Sequence, residues 1–180
     1  TAYRRQRQMC IRDRGNTGMR SRYFENVLAK IVDKSVENYN DIKLRDTISN
    51  SICLSADVCA AFDPNFPEAS EKRNASLVNG GIGVMKYSGS GGKSGSSDAN
   101  AELMAQIRKI FNENDVKWQS GELGKIDGGG GGTIAGFVAN LDMDVVDVGV
   151  PILSMHSPYE IAGKLDVYMA YKGYKAFYER

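Results

Sequence analysis

One histidine and one aspartate carry the clearest potential for chemistry in this sequence. His156, in VPILSMHSPYEIAG, is the only histidine and follows an apolar run, and Asp57, in LSADV, also follows an apolar stretch. Carboxylate and neutral imidazole groups at strand ends are common ligands of zinc. Two ligands are too few for a catalytic zinc, which normally takes three from the protein. The pattern therefore leaves two interpretations open for each residue: a metal ligand, or a structural role such as a backbone-bonded histidine and a turn or cap aspartate.

A lysine and a run of glycines follow other strand-like stretches. Lys86 lies near the end of GIGVMKY, and Gly128–Gly132 precede TIAGFVANL. Lys125 comes before the glycines, so the order of a Walker phosphate loop is missing. The position of the run between a strand and a helix argues against a flexible linker. The remaining interpretation is a close backbone approach to a substrate, with amide donors at a helix N-terminus.

The sequence gives less support to a serine or cysteine nucleophile than to a metal site. Ser154 and Ser157 flank His156, but no G-x-S-x-G elbow is present and adjacency in sequence does not make a triad. Cys53 and Cys59 do not form a redox CxxC pair, so we expect them to pack as small hydrophobic residues.

The elements that would position these residues alternate between strands and helices. A stripe of apolar residues predicts an amphipathic helix over 21–36, and Asp98 is predicted to cap the next helix. The remaining predictions are a strand around 48–54, a strand over 81–87, a helix over 101–111, a strand in VKWQSGELG, a helix in TIAGFVANLD, a buried strand in VVDVGVPIL and a final helix with Pro158 in its first turn. The alternation predicts an α/β fold with a mostly parallel sheet flanked by helices. Ligands gather at the carboxyl ends of strands in such sheets.

Composition limits the class of protein. The chain has 180 residues, 42% of them hydrophobic, which suffices for one sizeable core. The net charge of +1 indicates neither a nucleic-acid partner nor a membrane partner. Three cysteines without disulfide spacing favour a reducing compartment, so we expect a cytoplasmic protein. No apolar stretch approaches the ~20 residues of a membrane helix.

The first 14 residues, TAYRRQRQMCIRDR, differ in character from everything after them. They are rich in arginine and show no apolar period. A basic arm for nucleic acid is one interpretation, and a disordered or foreign leader is the one we favour. We therefore predict a boundary between residues 1–14 and residues 15–180.

Several stretches of the chain resemble the aspartyl aminopeptidase family of dinuclear-zinc exopeptidases, in particular its bacterial branch. In order, these are GNTGMRSRYFEN, LSADVCAAFDPNFPEASEKRN, GVMKYSGSGGKSGSSDANAE, GGGGTIA and VDVGVPILSMHS. The resemblance implies a metal-dependent aminopeptidase that acts on peptides. It also implies a homo-oligomer and two divalent metal ions, expected to be zinc.

The resemblance also assigns residues. Asp57, in SADV, matches a ligand of one metal, and His156, in MHS, matches a ligand of the other. Lys86 matches a substrate contact, and Gly131 and Thr133 match residues that line the substrate pocket. Residues 15–180 would then be the C-terminal part of an incomplete zinc-exopeptidase catalytic domain.

The resemblance breaks down at the start of the chain. The family's adjacent glutamates, one of them the general base, would fall at Met9 and Cys10 when counted without gaps. A further metal histidine and the bridging aspartate would lie upstream of Thr1. We therefore expect a truncated aminopeptidase that is nearly inactive by itself. The alternative is a non-catalytic relative that oligomerises or binds peptides on the same scaffold.

Overall fold

The computed structural model describes residues 15–90, 94–125 and 128–180. The predicted leader 1–14, with Met9 and Cys10, lies outside the described residues. Two compact units are distinguished: one comprises the chain up to Cys53 together with Phe137–Asp144, and the other comprises Leu54–Gly136 and Val145–Arg180. None of the helices formed by the described residues combines the length and apolar character needed to cross a membrane.

The first unit is helical. Helix α1 (Tyr23–Ser35) confirms the predicted amphipathic helix and buries Val32. Helix α2 (Asp41–Ser49) begins after Asn40, whose side chain accepts a hydrogen bond from the Lys43 amide at 2.9 Å. This is the usual N-terminal cap, because it satisfies one of the amides left free in the first turn. The two helices and residues 140–142 line a cleft of about 500 Å³.

The prediction of a strand beginning near Ile48 was wrong at its start. Ile48 is buried in the last turn of α2, and the strand β1 covers Ile52–Ser55. The apolar spacing of this region fits both element types, and the Asn40 cap settles the choice in favour of a helix.

The second unit contains the sheets, apart from the first two residues of β1 and the first residue of β7. The central sheet has the strand order β1-β7-β3-β6, with β3 (Ile82–Met85) parallel to β6 (Trp118–Ser120) and antiparallel to β7 (Asp144–Gly149). The expected α/β architecture is thus present, with a mixed sheet. All four residues of β3 are buried, as are the last five of β7, and such continuous burial is typical of strands covered on both faces.

Two smaller sheets complete this unit. Strand β2 (Cys59–Ala60) runs parallel to β8 (Pro151–Leu153), which pairs in antiparallel fashion with β9 (Ile161–Ala162). Strands β4 (Tyr87–Ser90) and β5 (Ser94–Asp98) form an antiparallel pair. A short 3₁₀ helix covers Pro67–Ala69.

Three helices belong wholly or partly to the same unit. Helix α3 (Ala101–Glu113) confirms the predicted helix and buries its apolar stripe, and α5 (Lys164–Tyr178) packs against it at Gly173. A Cβ atom at Gly173 would lie 3.1 Å from the Phe111 ring, so the small residue permits a close helix crossing. Helix α4 (Ala135–Ala139) is much shorter than predicted.

Two predicted helix starts were wrong. Asn100, not Asp98, caps α3, and its side chain accepts a hydrogen bond from the Leu103 amide at 2.7 Å. Helix α5 begins after Gly163, so Pro158 lies outside it, in the segment before β9. In both cases a suitable cap residue lies a few positions downstream of the predicted one.

Candidate metal and substrate site

Asp57 is held by its backbone. It follows β1, and its amide donates to the Ser55 carbonyl oxygen at 3.0 Å. Its Oδ1 atom accepts a hydrogen bond from the Val58 amide at 2.8 Å. The Asp57 carbonyl oxygen lies so close to Gly149 that an ideal Cβ atom there would be 1.5 Å away. Only glycine permits this approach, so Gly149 is part of what positions Asp57.

The segment after Asp57 runs beside the strand that leads to His156. The Cys59 amide donates to the Val150 carbonyl at 3.0 Å, and the Ala61 amide donates to the Ile152 carbonyl at 2.9 Å. Asp57 precedes this parallel pair, and His156 follows its far end after a short turn. The structure therefore places the two predicted ligands on adjacent segments of one unit. That they share one metal centre stays a prediction.

His156 lies in a surface turn between β8 and β9, not at the start of a helix. Its side chain is exposed and its backbone is left-handed, with φ of 68°; Ser154 is also left-handed, with φ of 57°. The His156 amide donates to Oε1 of Glu160 at 2.6 Å. Left-handed backbone costs about 1–3 kcal/mol in residues other than glycine, and such strain concentrates at functional sites.

The serines beside His156 show no sign of a nucleophile. The Ser157 hydroxyl donates to the Tyr159 carbonyl at 2.7 Å and accepts from the Tyr159 amide at 3.1 Å. These bonds tie Ser157 into the turn, as expected for a structural residue.

Lys86 lies between β3 and β4, where its ammonium group forms an ion pair with Asp98. The ammonium also lies 4.6 Å from the centre of the Tyr87 ring. The hydrogen bond to Asp98 raises the pKa of Lys86, so the side chain stays charged. Asp98, predicted to be a helix cap, is instead the partner of this lysine.

The glycine run packs against the strand that follows Lys86. The Gly89 amide donates to the Gly131 carbonyl at 2.9 Å. At Gly130, with φ of 122°, a Cβ atom would lie 2.2 Å from the Gly89 carbonyl oxygen. This close backbone approach is made to Gly89 of β4, which follows Lys86 in the sequence, and an approach to a substrate stays a prediction. A role for Gly131 in substrate binding stays a prediction.

Thr133 belongs to the entrance of α4. Its Oγ1 accepts a hydrogen bond from the Ala135 amide at 3.1 Å. A Cβ atom at the neighbouring Gly132 would meet nothing within 4 Å, so space is open beside this turn. The structure therefore places Gly131 beside β4, Thr133 at the start of α4, and Asp57 and His156 on the segments that flank the β2–β8 pair.

Among the described residues, no group of three or more His, Cys, Asp or Glu side chains is arranged to hold a metal ion. The donor types of Asp57 and His156 fit zinc, because zinc binds carboxylate oxygen and imidazole nitrogen. Their number does not make a closed site.

Burial shifts the pKa of two groups near Asp57. Burial raises the pKa of the Cys59 thiol to about 11, so the thiol is protonated at neutral pH and unreactive. Burial likewise raises the pKa of Tyr174 to about 12, and its hydroxyl donates to the Val148 carbonyl at 2.9 Å. Both groups serve as neutral packing partners behind the aspartate.

Three buried polar residues escaped prediction from the sequence. Asp166 accepts hydrogen bonds from the Asn79 amide at 2.7 Å and the Gly81 amide at 2.8 Å, and so fixes the turn before β3. Ser55 and Asp147 are each 2% exposed. The signal for Asp147 was visible, because a charged residue interrupts the apolar run VVDVGVPIL.

The chain matches one protein family along most of its length. Residues 11–178 match the family described as Aminopeptidase I zinc metalloprotease (M18). A probable M18 family aminopeptidase 1 from Clostridium acetobutylicum is 50% identical over 163 residues, which cover 91% of this chain and 35% of that protein. The chain thus spans about a third of the length of the curated relatives it matches.

Solved structures agree with this match. A crystal structure of an M18 aminopeptidase from Thermotoga maritima has a TM-score of 0.87 and 39% identity, covering 91% of this chain and 36% of the other. A dodecamer of mApe1 from S. cerevisiae has a TM-score of 0.70 at 24% identity, covering 92% of this chain and 35% of the other, and shows the shared fold. These structures confirm the predicted α/β fold. The chain belongs to the aminopeptidase I zinc metalloprotease family, M18.

Proposed function

We propose that this chain is the C-terminal part of a metal-dependent aminopeptidase that releases N-terminal residues from peptides. The observation that carries the proposal is the family match over residues 11–178, together with the 50% identity to a probable aminopeptidase. Asp57 and His156 are its metal ligands. The chain carries no assigned general base, because Met9 and Cys10 stand where the resemblance expects the glutamates.

We further propose two divalent zinc ions as the cofactors of the complete site. When bound, such ions polarise the scissile carbonyl and make a nucleophile of water. Asp57 suits a ligand role because its Oδ1 atom already bonds the Val58 amide, which fixes the plane of the carboxylate. His156 suits it because its imidazole lies exposed on the turn.

Lys86, Gly131 and Thr133 would contact the peptide substrate. Lys86 offers a charge held in place by Asp98 and Tyr87, which suits an acidic group on the substrate. The backbone at Gly131 and the open space beside Gly132 leave room for a peptide main chain. These assignments rest on the resemblance and on the placement of the residues around β4.

The proposal includes a homo-oligomer in the cytoplasm, with neither nucleic acid nor membrane as a partner. A structural neighbour from S. cerevisiae is a dodecamer, which supports self-assembly. Cys59 is a buried free thiol, which suits a reducing compartment.

Zinc titration of the purified chain tests the ligand assignment. We expect weak binding by the 180-residue chain, weakened at least tenfold further by Asp57→Ala and by His156→Asn. Asparagine suits the position of His156 because it tolerates left-handed backbone. Asp33→Ala, which changes an exposed aspartate of α1, is the matched control and should leave zinc affinity unchanged. Unaltered binding in both ligand variants would remove the metal site from these residues.

A non-catalytic oligomerising or peptide-binding relative is the second candidate function. Such a relative would share the scaffold that the family match supports and would not require a complete metal site. Reading the coding sequence upstream of Gly15 separates the two. An adjacent glutamate pair there, with metal-dependent release of N-terminal residues by the longer protein, supports the enzyme, and its absence supports the binding relative.

A further inference from the structure

Oγ of Ser55 and Oδ1 of Asp147, both in the second unit, are buried oxygen atoms without a hydrogen-bond partner among the residues the structure describes. Each residue is 2% exposed, so bulk water does not reach these atoms. An unsatisfied buried polar group costs roughly 1–3 kcal/mol, and nearly all such groups in folded proteins have a partner. Both atoms therefore call for an explanation.

Ser55 is directly connected to the proposed ligand Asp57. It is the last residue of β1, and its carbonyl oxygen accepts the hydrogen bond from the Asp57 amide at 3.0 Å. A shift of Ser55 would therefore tilt the turn that carries the Asp57 carboxylate.

Asp147 lies on the strand next to the one that ends at Ser55. Strand β7 is the neighbour of β1 in the sheet. Asp147 and Gly149 are two residues apart on β7, so they face the same side of the sheet. Asp57 passes Gly149 on that side, where a Cβ atom at Gly149 would lie 1.5 Å from the Asp57 carbonyl oxygen. The Asp147 side chain therefore faces the side of the sheet on which Asp57 crosses β7.

We propose that Ser55 and Asp147 are positioning residues for Asp57. One buried water joins the Ser55 hydroxyl, as donor, to the Asp147 carboxylate, as acceptor, and so fixes the Asp57 turn from below. Buried waters typically bridge polar groups that lack other partners. The inference rests on the proposed role of Asp57 as a metal ligand. It assigns a reason for a serine and an aspartate within otherwise apolar strands.

Zinc and cobalt binding by the 180-residue chain test this proposal. We expect Ser55→Ala and Asp147→Asn each to raise the dissociation constant for zinc by about tenfold or more, as is usual when residues behind a metal ligand are changed. The double variant should be no weaker than the more affected single variant, because one water links the two groups. The visible absorption band of bound Co²⁺ should shift in both, because a tilted carboxylate changes the ligand geometry.

Two further variants separate positioning from general damage. Ser55→Thr keeps the hydroxyl and should stay within about twofold of the parent affinity. Ser97→Ala changes a buried serine on β5, a strand that does not pair with β1 or β7, and should change neither affinity nor spectrum. Should Asp147→Asn not fold, Ser55→Ala and Ser55→Thr decide the question.

Asp57→Ala distinguishes failure of this inference from failure of the proposed metal site. If Asp57→Ala weakens zinc binding while Ser55→Ala and Asp147→Asn do not, the positioning role is overturned and the metal site stands. If Asp57→Ala has no effect on zinc binding, the metal site is overturned and the positioning role with it. A crystal structure with a water bonded to both Ser55 and Asp147 would support the proposal directly.

Discussion

The two proposed metal ligands lie in opposite settings. Asp57 passes over Gly149 and beside the buried Cys59, so its backbone is held by contacts between distant parts of the chain. His156 is exposed in a turn that contains local hydrogen bonds, among them the one from its amide to Glu160. The aspartate is thus held by tertiary contacts, whereas local bonds support the turn that carries the histidine. Changes to the backbone contacts of Asp57 should therefore cost more stability than changes in the turn that carries His156.

The largest effect should come from Gly149→Ala. The added methyl group would overlap the Asp57 carbonyl oxygen, and neither backbone can move without breaking the β2–β8 pair. We expect a loss of about 4 kcal/mol or more in the free energy of unfolding, measured by urea denaturation. Gly132→Ala is the matched control, because nothing lies within 4 Å of its added atom. Equal stability of the two variants would contradict the account of Asp57 as positioned by the fold.

Asp166→Ala should have the next largest effect. The change leaves the Asn79 and Gly81 amides without their acceptor beneath the turn that starts β3, the strand that pairs with β7. We expect a loss of about 3 kcal/mol in thermal or urea unfolding. Glu113→Ala, on the exposed face of α3, should cost less than about 0.5 kcal/mol and serves as the control. A loss for Asp166→Ala as small as that of Glu113→Ala would show that this turn does not depend on the carboxylate.

His156→Gly should act in the opposite direction on stability. Glycine accepts the left-handed backbone at this position without steric cost, so we expect the folded state to gain about 1 kcal/mol while zinc binding weakens. Ser154→Gly changes the other left-handed residue of the turn and keeps the imidazole. It should gain similar stability and retain zinc affinity. A marked loss of stability in either variant would mean that the turn is held by more than its local bonds.

Glu160→Gln should have the smallest effect. The variant keeps an acceptor for the His156 amide but removes its charge, at an exposed position. We expect about 0.5 kcal/mol of lost stability and a zinc affinity within a few fold of the parent chain. Glu179→Gln, which weakens an exposed ion pair with Lys175, provides the comparison. If Glu160→Gln lost as much stability as Asp166→Ala, the His156 turn would depend on Glu160 as strongly as the turn before β3 depends on Asp166.

The sequence reveals what depends on local spacing. The stripes of apolar residues predicted α1 and α3 because helical periodicity is a property of neighbouring residues. Helix starts were missed where two candidate caps lay close together, as with Asp98 and Asn100, because the ion pair of Asp98 with Lys86 is tertiary. The short α4 and the turn at His156 depend likewise on packing that no local pattern encodes.

The candidate site was likewise predictable from the sequence only in part. The residue types of Asp57 and His156 pointed to metal chemistry, and the family resemblance assigned their roles. The contact of Asp57 with Gly149 joins residues almost a hundred positions apart, and the burial of Ser55 and Asp147 depends on strand order. Neither is visible in one dimension, although the aspartate within VVDVGVPIL marks a position that deserved an explanation.

The contact at Gly149 has a consequence for protein engineering. Where the Asp57 loop crosses β7, the space at Gly149 admits a hydrogen atom and no Cβ atom. The loop and the strand are therefore complementary in shape at this point. Anyone who grafts the SADV loop onto another scaffold must bring a glycine-bearing strand along with it. A host strand with any larger residue at the crossing would push the carboxylate away from its intended target.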